Sequence, residues 1–172
     1  VESCYSDIHA DLESEDDWEA EMDGLEESTT TGKMVASVAL SQLGYGESER
    51  NFQVDSHGVR RGITRYGQWY GNPYGDWSGM FMMFCLHYAE VPQEALPRSP
   101  GVFNMMRLVQ KTEVFRLPDG DMGQIGDLLF LDTDENGNAD TLAAVTAYEE
   151  GNFTLICGDW ENTVAQITVA DT

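Results

Sequence analysis

Positive charge is what this chain has least of: nine Lys and Arg stand against 31 Asp and Glu in 172 residues, for a net charge of -22. So negative a chain repels phosphate backbones and anionic headgroups, which argues against nucleic acid and anionic membrane surfaces as partners. Cysteine is scarcer still. Cys4, Cys85 and Cys157 are widely separated, fit no C-x-x-C spacing and cannot all pair within one chain, so structural zinc is not expected. No apolar run reaches the length of a bilayer span, so no membrane insertion is expected either. With three histidines, His9, His57 and His87, there are few sources for an imidazole base. What the chain does hold is a 41% hydrophobic share with four Trp, seven Tyr and seven Phe, enough to build one buried core.

The acidity is uneven. Residues 1–31 carry 12 of the acids and no Lys or Arg, and read as an acidic leader or linker ahead of a domain spanning 32–172. Within the leader, Ser14 followed by Asp17 is a helix start, and Trp18, Met22 and Leu25 follow at helical spacing, so the segment is expected to dock through Trp18. A second helix is expected from Thr31, carried by Met34, Val35, Val38 and Ala39. Residues 46–64 show no periodicity and read as a surface loop, which returns to a helical turn at 65–70. Asp76 is the expected N-cap of a helix over 77–89 that is apolar almost all round, from Met80 to Tyr88, and therefore central. Ser99-Pro100 predicts another helix with proline in its first position. Beyond Gly126 the period changes: 127–131, 142–148, 153–157 and 164–169 are short strand-like runs between Asp, Asn and Gly turns. Helices followed by an antiparallel sheet is an α+β order.

An aromatic and glycine-rich segment, Tyr66-Gly67-Gln68-Trp69-Tyr70-Gly71-Asn72-Pro73-Tyr74-Gly75, delivers Ser78 to the start of the apolar helix, where free backbone N–H groups favour an anion. Together with Val38-Ala39 to Gln42-Leu43-Gly44-Tyr45, Thr64-Arg65-Tyr66-Gly67, Asp76-Trp77-Ser78-Gly79 and Gly126-Asp127-Leu128-Leu129-Phe130, this order resembles the CHAP domains, cysteine- and histidine-dependent amidohydrolases and peptidases of the NlpC-type, papain-like superfamily. The resemblance covers most of residues 33–170. It implies a papain-like CHAP fold, with N-terminal helices packed on a C-terminal antiparallel β-sheet. It further implies a catalytic cysteine directly after the tryptophan, a histidine opening the strand after the Asp/Asn/Gly turn, and a third polar residue after a glycine. Those positions hold Ser78, Thr141 and Asp159.

Serine needs a base to act as a nucleophile, and threonine is not one. His87 lies nine residues along the helix from Ser78, about 13 Å at 1.5 Å per residue, and His57 lies in the 46–64 loop. Cys85 reads as core, and Cys157 has no cation or base evident to activate it. The site therefore reads as a degenerate one, a pseudoenzyme module for binding or presentation. Trp69, Tyr70, Tyr74, Trp77 and Trp160 are the expected walls of its groove, and a peptidoglycan fragment or a host or surface protein is the expected partner. A divergent peptidoglycan amidase or endopeptidase using Ser78 or a Cys-substituted active site is the alternative. The resemblance also implies an extracellular or cell-surface location in a Gram-positive bacterium, as a segment of a longer protein. No cofactor is expected unless calcium binds weakly at 132–140: Asp132, Asp134, Asn136, Asn138 and Asp140 repeat the start of a calcium loop, but Ala143 replaces its closing glutamate, and a polar hairpin turn is the leading reading.

Overall fold

The computed structural model describes residues 7–9, 12–117 and 123–171, with Cys4 outside that set. Along the chain come β1 (Asp7–His9), α1 (Glu15–Asp23), α2 (Thr31–Ser41), β2 (Asn51–Val54), β3 (Arg60–Gly62), α3 (Arg65–Tyr70), α4 (Ser78–Tyr88) and α5 (Val102–Val109). Four more strands close the order: β4 (Leu128–Leu131), β5 (Thr141–Glu149), β6 (Asn152–Trp160) and β7 (Thr163–Ala170). Helices segregated from an antiparallel sheet make the architecture α+β.

Strands β4-β5-β6-β7 form one antiparallel sheet in that order. Helices α2 and α4 both pack on β5 and β6. Because side chains alternate across a strand, Leu142 and Ala144 of β5, Ile156 of β6 and Val164 of β7 join the helices in the main core. Ala143, Val145, Phe153, Leu155 and Cys157 turn to the opposite face, where the half-buried Leu129, Leu131, Ile167 and Val169 shield them as a second cluster. Helix α4 is apolar all round because it is enclosed all round: Phe81, Met82, Phe84 and Cys85 are each 0% exposed.

Four sequence expectations need correction. The 46–64 segment is not only loop, since β2 and β3 form a hairpin there and β1 pairs with β2 to complete a second, three-stranded sheet. Asp76 does not cap α4; its side chain is 92% exposed and pairs at 3.7 Å with Arg61. Pro100 is not the first residue of α5, which begins at Val102 with Gly101 as N-cap. Pro100 instead lies against Gly79, where a Cβ would come within 2.0 Å of its carbonyl oxygen, so only glycine fits at the second position of α4. Finally, Trp77 does not wall a groove. It is 1% exposed, stacked on Tyr66 at 5.2 Å between ring centroids.

Leader and domain share one core. Ser14 and Asp17 open α1 as expected, with the Asp17 carboxylate accepting from both the backbone N–H and the hydroxyl of Ser14 at 2.8 Å. Trp18 and Met22, four residues apart on one helix face, are buried in the main cluster with α2 and α4. Beside them Arg65 forms a polar clamp. Its guanidinium donates to Glu13 at 2.5 and 3.1 Å, to Glu21 at 2.7 Å and to Gln42 at 2.9 Å. Gln42 in turn accepts from the Tyr66 hydroxyl at 3.0 Å. Burial disfavours the Arg65 charge, but the Glu13 and Glu21 hydrogen bonds more than offset this and hold its pKa above the ordinary value.

Candidate functional site

The start of α4 is where the chain collects its chemistry, and three long-range hydrogen bonds fix it. The Trp77 backbone N–H donates to Asp159 Oδ2 at 3.0 Å, and the Trp77 indole N–H donates to Glu47 Oε1 at 3.0 Å. The Leu142 backbone N–H donates to Ser78 Oγ at 3.2 Å. Thus Ser78, the first residue of α4, sits against the start of β5 at the Leu142 N–H, while Asp159 at the end of β6 reaches the residue preceding Ser78. The carboxylate at this helix N-terminus, expected from Asp76, comes from a strand 82 residues away.

Local sequence explains the placement. Gly158 lets β6 approach α4, since a Cβ there would fall 2.5 Å from Phe81 Cβ. The β6 to β7 pairing shifts register between Cys157 and Trp160, and Asp159 within that shift takes a left-handed φ of 62°. The turn therefore aims its side chain back at the helix. Thr141 Oγ1 donates to Asp140 Oδ1 at 2.7 Å.

None of these groups is an activated nucleophile. Ser78 is buried, and its oxygen already accepts from a backbone N–H. Exposed His87 packs against the Trp69 and Tyr88 rings, and the ring of exposed His57 hydrogen-bonds its neighbour Ser56. Burial pushes the Cys85 thiol far up and the Cys157 thiol to about 12, so neither is a thiolate at neutral pH. Cys157 Sγ points to the Ala165 carbonyl at 3.8 Å, in the second cluster.

Asp159 is the perturbed group. Its pKa is raised to about 6, mainly by burial; the Trp77 N–H opposes the shift, the Glu47 and Asp76 carboxylates add to it and Arg61 opposes it. A carboxyl that holds its proton more tightly folded than unfolded stabilises the fold below its unfolded pKa of 3.8, and that contribution is lost as pH rises from about 4 to about 6. Asp159→Asn keeps an acceptor for Trp77 and tolerates the left-handed backbone. After discounting for partial exposure, it is expected to gain about 1–2 kcal/mol at neutral pH. Thermal melts should then place the variant a few degrees above the wild-type protein at pH 7.5, with the gap closing by pH 4. An equal gap at both pH values would refute the assignment.

Of the aromatic walls expected from sequence, Tyr70 is exposed and Tyr74 half-buried. Trp69 packs edge-on against Phe84, and Trp160 belongs to the cluster on the far face of the sheet. Sequence reasoning missed two contributors. Glu47 is the acceptor for the Trp77 indole, and Arg65 clamps the leader to the loop that precedes the site. Their only sequence signal was their place beside quoted motifs.

The 132–140 turn lies before β5. Asp132, Asp134 and Asp140 bring carboxylate oxygens within 4.8 Å of one another, all exposed. Asp132 accepts from the N–H groups of Asn136 and Gly137 at 3.1 and 2.7 Å. Asn136 Oδ1 accepts from the backbone N–H of Asn138 at 2.9 Å and from its side-chain amide at 2.8 Å.

Among the described residues no helix is long and apolar enough to cross a membrane. Comparisons with protein-family models, with curated proteins and with solved structures found no match to this chain.

Proposed function

We propose that this chain is a catalytically silent, papain-like CHAP domain that acts in binding or presentation on the outside of a Gram-positive bacterium. The observation that carries the reading is the state of Ser78. It stands at the N-terminus of the central helix, beside the start of β5 and one residue from the Asp159 anchor, and its oxygen accepts from the Leu142 N–H, one residue after Thr141. This supports reading Ser78, Thr141 and Asp159 as the positions of a nucleophile, base and orienting carboxylate with the two reactive groups replaced. Binding requires no proton transfer, so the loops around the site can serve a peptidoglycan fragment or a protein segment without it. The large negative charge suits solubility in an extracellular setting.

The opposing reading, a divergent peptidoglycan amidase or endopeptidase, draws on one feature: Asp159 titrates near pH 6 and could hold or release a proton there. Its hydrogen bond goes to Trp77 rather than to Ser78. Purified protein is expected to release no new amino groups from peptidoglycan between pH 5 and 8, and Ser78→Ala to behave identically. Turnover abolished by Ser78→Ala would establish the hydrolase instead.

At the 132–140 turn a polar hairpin turn is the leading reading and a weak calcium site the second, supported by the convergence of three carboxylates. Asp140 occupies the ninth position of the loop, which in calcium loops often ligates through a water. Millimolar calcium is expected to raise the melting temperature by about 1–3 °C relative to chelator, as for an ion that binds only the folded state. No shift retires the site.

A further inference from the structure

Asn136 is the one asparagine of the sequence that is followed by glycine. Both residues are exposed in the turn before β5, and a Cβ at Gly137 would meet nothing within 4 Å, so the backbone nitrogen of Gly137 is unshielded on that side. That nitrogen can close a ring with the C, Cα, Cβ and Cγ atoms of Asn136. Attack on Cγ needs a base for the nitrogen's proton, donors for the oxygen of the side-chain amide, and a departing amine.

The turn supplies all three. The Gly137 N–H donates to Asp132 Oδ2 at 2.7 Å, which aims a carboxylate at the proton to be removed. Asn136 Oδ1 accepts from the backbone N–H of Asn138 at 2.9 Å and from its side-chain amide at 2.8 Å. One donor already closes the turn; the second polarises the carbonyl further, and both stand where negative charge would develop. Asn136 Nδ2, the group that would leave, donates to Asp134 Oδ2 at 2.7 Å.

We propose that Asn136 is a self-modification site, where the folded turn drives cyclisation of the Asn136 side chain onto the Gly137 nitrogen and its hydrolysis to aspartate and isoaspartate. The Gly137 nitrogen gives its proton to Asp132, and its electron pair forms the bond to Asn136 Cγ. The oxyanion formed on Oδ1 is held by the two Asn138 donors. As it collapses, the Cγ–Nδ2 bond breaks with its electron pair on nitrogen. The proton passes from Asp132 through solvent to that nitrogen, and ammonia leaves. Solvent water then adds to one of the two ring carbonyls and reopens the ring. The balance is amide plus water to carboxylic acid plus ammonia, with nothing oxidised or reduced. In the aspartate product a carboxylate replaces the amine that faced Asp134, and the like charges repel. Because the turn leads straight into β5, whose start holds Ser78, the reaction is a one-way change ahead of the candidate site.

The test compares the folded protein with the same chain unfolded in urea, both at neutral pH and body temperature with chelator present. Peptide mass spectrometry reads the exchange of NH₂ for OH, and isoaspartate-specific methylation reads the rearranged product. A positioned base is worth about 10²–10⁴-fold in enclosed sites, and in this exposed turn conversion at Asn136 is expected to be about tenfold faster folded than unfolded. Asp132→Asn keeps an acceptor for the Gly137 N–H but no base, and should slow the folded chain about tenfold. Asn138→Ala should slow it less, because the backbone donor remains. Asn136→Gln, which would have to close a larger ring, should show no conversion and serves as the blank. Conversion no faster in the folded chain overturns the proposal. So does an Asp132→Asn variant that converts as fast as the wild-type protein or faster, since the hydrogen bonds would then protect the amide. Neither result touches the reading of Ser78.

Discussion

Arg65→Ala is expected to destabilise the fold by about 2–4 kcal/mol: it leaves the buried Gln42 oxygen short of a donor and removes a buried side chain, while Glu13 and Glu21, 27% and 40% exposed, can turn to water. The guanidinium, 8% exposed, holds Glu13 through two bonds, Glu21 through one and Gln42 through one, and its loss strips the polar layer that joins α1 to the main core. For a domain of this length that is a fall of about 4–16 °C in melting temperature. Arg65→Lys should recover only part, because a lysine point charge cannot span Glu13 in a fork and reach Glu21 as well. A chain beginning at Thr31 should fare worse, since it also loses Trp18 and Met22 from the core. Calorimetry on the three forms checks this. A loss under about 1 kcal/mol for Arg65→Ala would mean that the clamp is surface decoration, of the kind exposed ion pairs usually are.

The second large effect is a gain. Ser78→Cys combined with Thr141→His is expected to produce amide cleavage, and the wild-type protein is expected to show none. A positioned base alone is worth about 10²–10⁴-fold. The placement argues for it: residue 78 touches the start of β5 through Leu142, and position 141 precedes that contact by one residue. An independent signature accompanies the activity. Imidazolium beside the new thiol should lower its pKa, so that alkylation proceeds readily at pH 6, whereas Ser78→Cys alone should react only as an ordinary buried thiol. A folded double variant whose thiol still needs alkaline pH would show that the two positions do not form a pair, and the CHAP reading of the site would fall with it.

How far the sequence could be read depended on the range of the forces involved. Helices α2, α3 and α4 were legible because each announces itself locally, through apolar spacing, the Thr30 and Thr64 caps, or an all-apolar run. The four strands of the large sheet were equally visible as apolar, β-branched or aromatic runs between turns. The β2–β3 hairpin was not, because its short strands are largely polar, with Asn51 and Gln53 in one and two arginines in the other. Its turn was the available signal: Asp55 Oδ1 accepts from the N–H groups of His57 and Val59 at 2.9 Å, and Gly58 takes a φ of 78°. At the site, the resemblance points to Ser78, Thr141 and Asp159, but not to the bond from Trp77 to Asp159. Local reasoning assigned the carboxylate at the start of α4 to its sequence neighbour Asp76, because a strand end far along the chain carries no mark of the helix it will meet. Trp77 was misplaced for a related reason. Aromatic residues in a glycine-rich loop look exposed until the partner ring, here Tyr66, is known.

The bonds that hold the beginning of α4 span 82, 64 and 30 residues of chain. Each closes a loop whose entropy must be overcome before the contact contributes anything, and non-local closures of this kind come late in folding. The helix itself needs only its own residues and can form early. Its functional end cannot. On the ribosome, α4 emerges about 80 residues before Asp159, so a nascent chain holds the most apolar helix of the molecule with its N-terminus unpinned and no sheet to cover it. The acidic leader, made before α4 and bearing 12 side-chain carboxyl groups, is already outside by then and keeps that intermediate charged.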